Sequence, residues 1–382
     1  MNEHPERLYS RLAFLWPAIA ATSASELAST LARNWTELAL GHESAADEPA
    51  PAWATDNKIV LELNTVRLRD FSTASEGMPL LLCAPFALHR TTVADFAPGH
   101  SLIAALRQLG VKRLFLTDWR SARDDMRFLG IDDYLAALNV LVDELGGTVD
   151  LVALCQGGWL SLLYAARFPK KVRRIVIAGA PIDIAAAKSG LSAIVDSNTP
   201  TFFKEVVQIG DGRIYGNRLL KLWSPLTSTD DDIRAILQTN MAGDDNAFVA
   251  LADHFRHWDA TTVDLPGVYY LEVVDKLYRQ NALARGRFVA LGKAVDLSRL
   301  DIPLYLLGAE DDELVPPPQL FALADLAGTP AQHIVKALAP GRHLSLFMGE
   351  GTLQRFWPEI VRWLEQPLPE ANDAQPHHSQ PR

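Results

Sequence analysis

Short apolar runs recur along this chain at 79–85, 111–117, 149–154, 172–179, 303–308 and 334–338, and stretches of helical character separate several of them, at 101–109, 132–145 and 156–168. Runs this short, bounded by turn residues, read as strands buried on both faces; strands alternating with helices predict a mostly parallel, doubly wound sheet. Ahead of them, 58–63 and 65–71 alternate apolar and polar positions and predict a two-stranded ribbon. Between 184 and 300 the alternation fails. That stretch mixes loop signals (Ser197-Asn198-Thr199-Pro200, Asp211-Gly212), an acidic cluster at Asp230 to Asp232 and an aromatic-rich helical stretch from Tyr269 to Tyr278. An insertion over the carboxyl ends of the strands, a cap, accounts for it.

The pattern thus divides the chain into a helical extension and linker (1–57, with helical stretches at 7–21 and 25–39), a first part of the α/β core (58–183), the cap (184–300), a second part of the core (301–364) and a polar, Pro-rich disordered tail (365–382). The apolar stripe of the extension predicts helix docking, on a partner subunit or an apolar surface. Its run from Leu12 to Ala21 is too short to span a bilayer and contains Pro17, and Glu3 and Glu6 weigh against a secretory signal.

Composition narrows this picture only a little. With 48% hydrophobic and 21% charged residues in 382 the chain is of globular type, and its net charge of −10 argues against a nucleic-acid surface. Two cysteines, Cys83 and Cys155, exclude a disulfide framework and favour a reducing, cytoplasmic setting. His254 and His257 lie one helical turn apart without a third ligand pattern, so no metal is expected, nor any cofactor.

The candidate chemistry centres on Val149 to Phe168. A β-branched apolar run, a small glycine-rich turn and a helix-forming stretch place Cys155 at the apex of a strand–turn–helix, the form of a nucleophile elbow, with Ala153, Gly157 and Gly158 as its close-packing positions. A thiol at a helix N-terminus is favoured as thiolate. The backbone N–H of Gln156, the residue after it, is positioned for an oxyanion hole, with a second donor from the loop at 86–95. Cys83 lies inside an apolar run and reads as core. An acidic turn, Glu310-Asp311-Asp312-Glu313, follows a late strand, and His343 follows the last one, giving the chain order nucleophile, acid, base of an α/β-hydrolase fold. Asp312 would then hold the tautomer of His343, the general base. Glu310, Asp311 and Glu313 are rivals for the acid, and His333 and His89 are weaker candidates for the base.

Several segments, in order, resemble the polyhydroxyalkanoate synthases, more the short kind that works with a second subunit than the long kind. They are Asp95-Phe96-Ala97-Pro98-Gly99-His100-Ser101-Leu102, Thr117-Asp118-Trp119, Arg127-Phe128-Leu129-Gly130-Ile131-Asp132-Asp133-Tyr134, Leu154-Cys155-Gln156-Gly157-Gly158, Leu265-Pro266-Gly267-Val268-Tyr269-Tyr270, Asn281-Ala282-Leu283, Val295-Asp296-Leu297, Asp312-Glu313-Leu314-Val315-Pro316-Pro317 and Gly341-Arg342-His343. The resemblance spans about 58–364. It implies Cys155 as the acylated nucleophile, His343 as base and Asp312 as acid. It further implies an (R)-3-hydroxyacyl-CoA substrate, a polyester chain as product, a second synthase subunit or homodimer, and a cytoplasmic, granule-associated protein at the polyester surface. The chain departs from the family where Ala153 stands for the usual Gly, Glu313 for His, Arg342 for Gly, and His89-Arg90-Thr91 for an Asn-Arg-Pro-type loop. Intracellular polyhydroxyalkanoate depolymerases share a similar triad, but their elbow usually continues Cys-Gln-Pro; Gly157-Gly158 favours the synthase side.

Overall fold

The computed structural model describes residues 52–223, 229–239 and 245–369. The helical extension expected at 7–39 and the tail beyond 369 lie outside the described residues. An eight-stranded sheet forms the centre: β1 Lys58–Glu62, β2 Val66–Asp70, β3 Leu80–Cys83, β4 Leu114–Trp119, β5 Val149–Leu154, β6 Val172–Ala178, β7 Leu304–Ala309 and β8 Ile334–Ala339, in the spatial order β1-β2-β4-β3-β5-β6-β7-β8. β1 pairs antiparallel with β2, and β2 antiparallel with β4; every pair from β4 to β8 is parallel. The predicted ribbon is therefore the sheet's first edge.

The apolar runs inside the sheet are strands because both faces are covered, whereas β8, at the second edge, is only partly buried. All six residues of β5 and all six of β7 are buried, and each fully buried Val, Leu or Ile contributes roughly 1.5–3 kcal/mol. The one charge in β5, Asp150, is tolerated because Arg173 grips both its oxygens at 2.9 and 3.0 Å. Helices α1 Leu102–Gln108, α2 Ile131–Glu144 and α3 Gln156–Arg167 fill the crossovers.

Between β6 and β7 no described residue joins the main sheet. The described part of this insert holds α4 Gly190–Ser197, α5 Pro200–Ile209, α6 Gly216–Trp223, α7 Asp230–Leu237, α8 Asp245–Ala260 and α9 Gly267–Glu272, with two small antiparallel ribbons. Its backbone is bonded to loops leaving the carboxyl ends of β3 and β4: Val263 N–H donates to Leu88 O at 2.7 Å, Ala122 N–H to Asp264 O at 2.9 Å and Tyr269 N–H to Leu129 O at 3.0 Å.

The helix expected over 269–278 differs in kind. α9 ends at Glu272 and continues as a π-helix, Val273–Arg279, in which Gln280 N–H reaches back five residues to Asp275 O at 2.9 Å. The wider turn re-aims the side chains that follow it, and such turns concentrate at functional sites.

Candidate active site

The elbow is built by steric exclusion. β5 ends at Leu154, α3 begins at Gln156, and Cys155 between them has φ 48° and ψ −120°, a left-handed backbone that a non-glycine residue adopts only under constraint. The constraint is visible on both sides. Cys155 N–H still donates to Ala178 O on β6 at 2.8 Å, and Gly158 N–H closes the turn onto Cys155 O at 2.8 Å. A Cβ on Gly157 would lie 2.4 Å from the carbonyl oxygen of Cys83, and one on Gly158 2.3 Å from the Ala180 Cβ. Only glycine lets α3 start this close to β3 and β6, and that closeness holds the thiol at the helix N-terminus, where unpaired N–H groups and the helix dipole favour an anion.

Asp312 and His343 meet because the turns after β7 and β8 are stitched together: Glu310 N–H donates to Ala339 O at 2.8 Å and Asp311 N–H to Gly341 O at 3.0 Å. Asp312 alone among the four acids of its turn is buried. Its Oδ1 accepts the N–H groups of Leu314 and Val315 at 3.0 and 2.7 Å, and its two oxygens lie 3.0 and 2.8 Å from His343 Nδ1. The carboxylate fixes the hydrogen on Nδ1, leaving Nε2 free to act as a base. Burial alone would push the imidazole down; the charges of Asp312 and of the nearby Cys155, with the hydrogen bond to Asp312, outweigh it and hold His343 well above the ordinary histidine range. The ring also needs Gly179, at the end of β6, where a Cβ would come 3.0 Å from Cε1 of the imidazole.

The structure thus brings together Cys155, His343, Asp312 and Gln156. The Gln156 side chain is held by Trp159 Nε1 at 2.5 Å and by Tyr278 of the π-helix at 3.4 Å. Burial and the nearby Cys155 both raise the Tyr278 phenol. The rivals lie elsewhere. Cys83 is fully buried, and burial pushes its thiol up to about 11. Glu310 and Asp311 are exposed. His333 sits at the amino end of β8, one strand length from His343. His89 stacks on Trp258 at 4.8 Å and pairs with Asp259 at 2.9 Å, while His254 bonds Phe96 O at 3.1 Å. Among the described residues no group of three or more His, Cys, Asp or Glu could hold a metal ion, and no helix is long and apolar enough to cross a membrane.

Periodicity alone did not expose the partners of these residues. Gly179 and Tyr278 carry no local signal of a role beside Cys155, and Arg342 stands out only as a departure from a family pattern.

An elbow cysteine, a buried carboxylate after β7 and a histidine after β8, on this strand order, agree with the match of residues 100–350 to the family model described as the alpha/beta hydrolase fold. The chain belongs to the α/β-hydrolase fold family. Within that family it is similar to several poly(3-hydroxyalkanoate) polymerase subunits. It is similar to the poly(3-hydroxyalkanoate) polymerase subunit PhaC of Haloferax mediterranei, at 24% identity over 90% of this chain and 72% of that one. Its identity with the protein of the same name from Synechocystis is 28%, over 82% and 85% of the two chains. Among solved structures, an esterase from Thermogutta terrifontis aligns at 16% identity with a TM-score of 0.50, covering 81% of this chain and 98% of that one, a likeness of fold alone.

Proposed function

We propose that this enzyme is a polyhydroxyalkanoate synthase that polymerises (R)-3-hydroxyacyl-CoA through an acyl group carried on Cys155. The observation that carries the reading is a thiol at a glycine-packed elbow, close to a histidine whose Nδ1 faces a buried carboxylate. The Cys155 thiolate attacks the thioester carbonyl, the oxyanion is held at the Gln156 N–H, and CoA leaves as a thiol with the proton of the His343 imidazolium. One thioester replaces another, so the acyl group stays activated. Neutral His343 then takes the proton of an incoming hydroxyl as that oxygen attacks the acyl-enzyme, forming an ester and returning the Cys155 thiolate beside an imidazolium.

In this reading the insert at 184–300 is the cap that keeps water from the acyl-enzyme, and its Tyr278 contacts Gln156 beside the thiol. A second synthase subunit or a second copy of the chain, and the surface of a polyester granule in the cytoplasm, complete the proposal. The test is incubation of the purified protein with (R)-3-hydroxybutyryl-CoA, following free CoA and separating polymer from free acid. Polymer with CoA release is expected. Free 3-hydroxybutyrate with no polymer would make the protein a thioesterase-type hydrolase or depolymerase, and no CoA release would overturn the acyl-transfer reading.

A further inference from the structure

Two positions where the chain departs from the synthase pattern, Glu313 and Arg342, flank the proposed acid and base and touch one another. Glu313 Oε1 lies 3.6 Å from the Arg342 guanidinium, and its Oε2 accepts the backbone N–H of His343 at 3.3 Å. The other arm of Arg342 reaches Asp232, in the first turn of α7, at 3.0 Å. The far end of the same helix grips the same turn. Gln238, its C-cap, donates from Nε2 to Pro340 O at 2.7 Å and accepts at Oε1 from Thr352 N–H and Oγ1 at 2.8 and 3.1 Å. α7 therefore holds the turn 340–343 at both its ends, once by charge and once by neutral hydrogen bonds.

We propose that Asp232, Arg342 and Glu313 form a positioning chain through which the inserted helix α7 sets the seat of His343. The inference rests on His343 being the base, as proposed above. Side-chain exposures of 41, 21 and 26% along the chain limit what it adds to stability, since partly exposed pairs contribute about 0–1 kcal/mol. Its effect is geometric. Arg342 precedes His343 directly, so a turn freed from α7 lets the imidazole drift from Cys155, and a displacement of about 1 Å can cost up to about a hundredfold in rate. Asp312, Cys155 and Glu313 face His343 from the neighbouring turn and elbow, with the Phe347 ring against the imidazole; none of these is replaced when the link to α7 is cut.

The test uses full-length Arg342→Ala, Arg342→Lys, Asp232→Asn and the Asp232→Asn/Arg342→Ala pair. Two readouts are needed: iodoacetamide alkylation of Cys155 against pH, which requires no substrate, and kcat and KM for CoA release. Arg342→Ala should slow alkylation at pH 6.5 about tenfold and leave it unchanged at pH 9.5, where the thiol ionises without help from His343. It should lower kcat about tenfold with KM within about twofold, Arg342→Lys should recover most of the loss, and the double variant should be no worse than Arg342→Ala. Asp232→Asn, which leaves the turn's sequence intact, should show the same pattern and decides the matter if Arg342→Ala does not fold. Unchanged alkylation profiles, a change in KM alone, or additive losses would each overturn the positioning chain. Absence of CoA release from the unaltered protein would instead remove the proposed substrate while the alkylation profiles still judge the chain.

Discussion

The elbow and the insert solve opposite problems. The elbow turn is seated on backbone and apolar groups of Cys83, Ile177, Ala178 and Ala180, its glycines leave no slack, and its residues are consecutive in sequence. The insert meets the same site through polar keys from distant positions: Tyr278 on Gln156, Gln238 on Pro340, Asp232 on Arg342. A close-packed seat cannot yield without breaking, whereas a hydrogen-bonded one can be altered one contact at a time. The first kind of construction suits a nucleophile whose place must not vary, the second a cover whose fit decides between acyl acceptors.

The sharpest way to break the comparison is at its fixed end. Cys155→Ala should abolish CoA release while thermal melting stays within a few degrees of the parent, and Cys83→Ser should retain most activity; the reverse result would move the nucleophile to β3. Next, Asp312→Asn should cost about a thousand- to ten-thousandfold in turnover through loss of tautomer control, against less than about tenfold for Asp311→Asn or Glu310→Gln, measured by steady-state CoA release. A larger loss at Asp311 would shift the acid by one residue.

Packing at the elbow comes third. Gly158→Ala should destabilise by about 1–3 kcal/mol in urea unfolding, because its new methyl meets both Ala180 and Ile177. A neutral outcome would mean that α3 can move, contrary to a fixed seat. A fourth test uses pH. With its pKa raised in the folded state, His343 contributes stability that is fully present below the ordinary histidine value of about 6.5 and is lost as pH rises through the raised one. His343→Gln should therefore be less stable than the parent at pH 6 and close the gap on the alkaline side; a gap that widens with pH would mean the histidine is seated neutral. Smallest should be Tyr278→Phe, which removes one weak hydrogen bond at 3.4 Å and should change the polymer-to-acid ratio by less than about threefold, with CoA release intact.

The same contrast explains what the sequence disclosed. The eight strands were legible because their burial on both faces or alternation writes a local pattern, and the elbow because its glycines adjoin its nucleophile. Asp312 and His343 were legible through chain order, since the fold brings the loops after β7 and β8 to one edge. The interior of the insert was not. Trp258, Tyr269 and Tyr270 are 1, 2 and 7% exposed and packed among other rings, Tyr269 against Phe86 and Tyr134 at 5.1 and 4.9 Å. Aromatic content cannot distinguish a ring that faces a cavity from one that fills a core. The π-turn escaped notice for a related reason: one extra residue per turn leaves helical periodicity nearly intact over so short a stretch.

Gly179 carries a last consequence. It contributes no functional group, yet the absent side chain is what leaves room for the imidazole, as those of Gly157 and Gly158 leave room for the helix behind the thiol. Saturation mutagenesis scored on activity should therefore mark these three glycines as sharply as the three residues of the proposed triad. A reader of such a map, knowing no coordinates, would count six essential positions and look for six reactive groups, when half of them act by containing nothing.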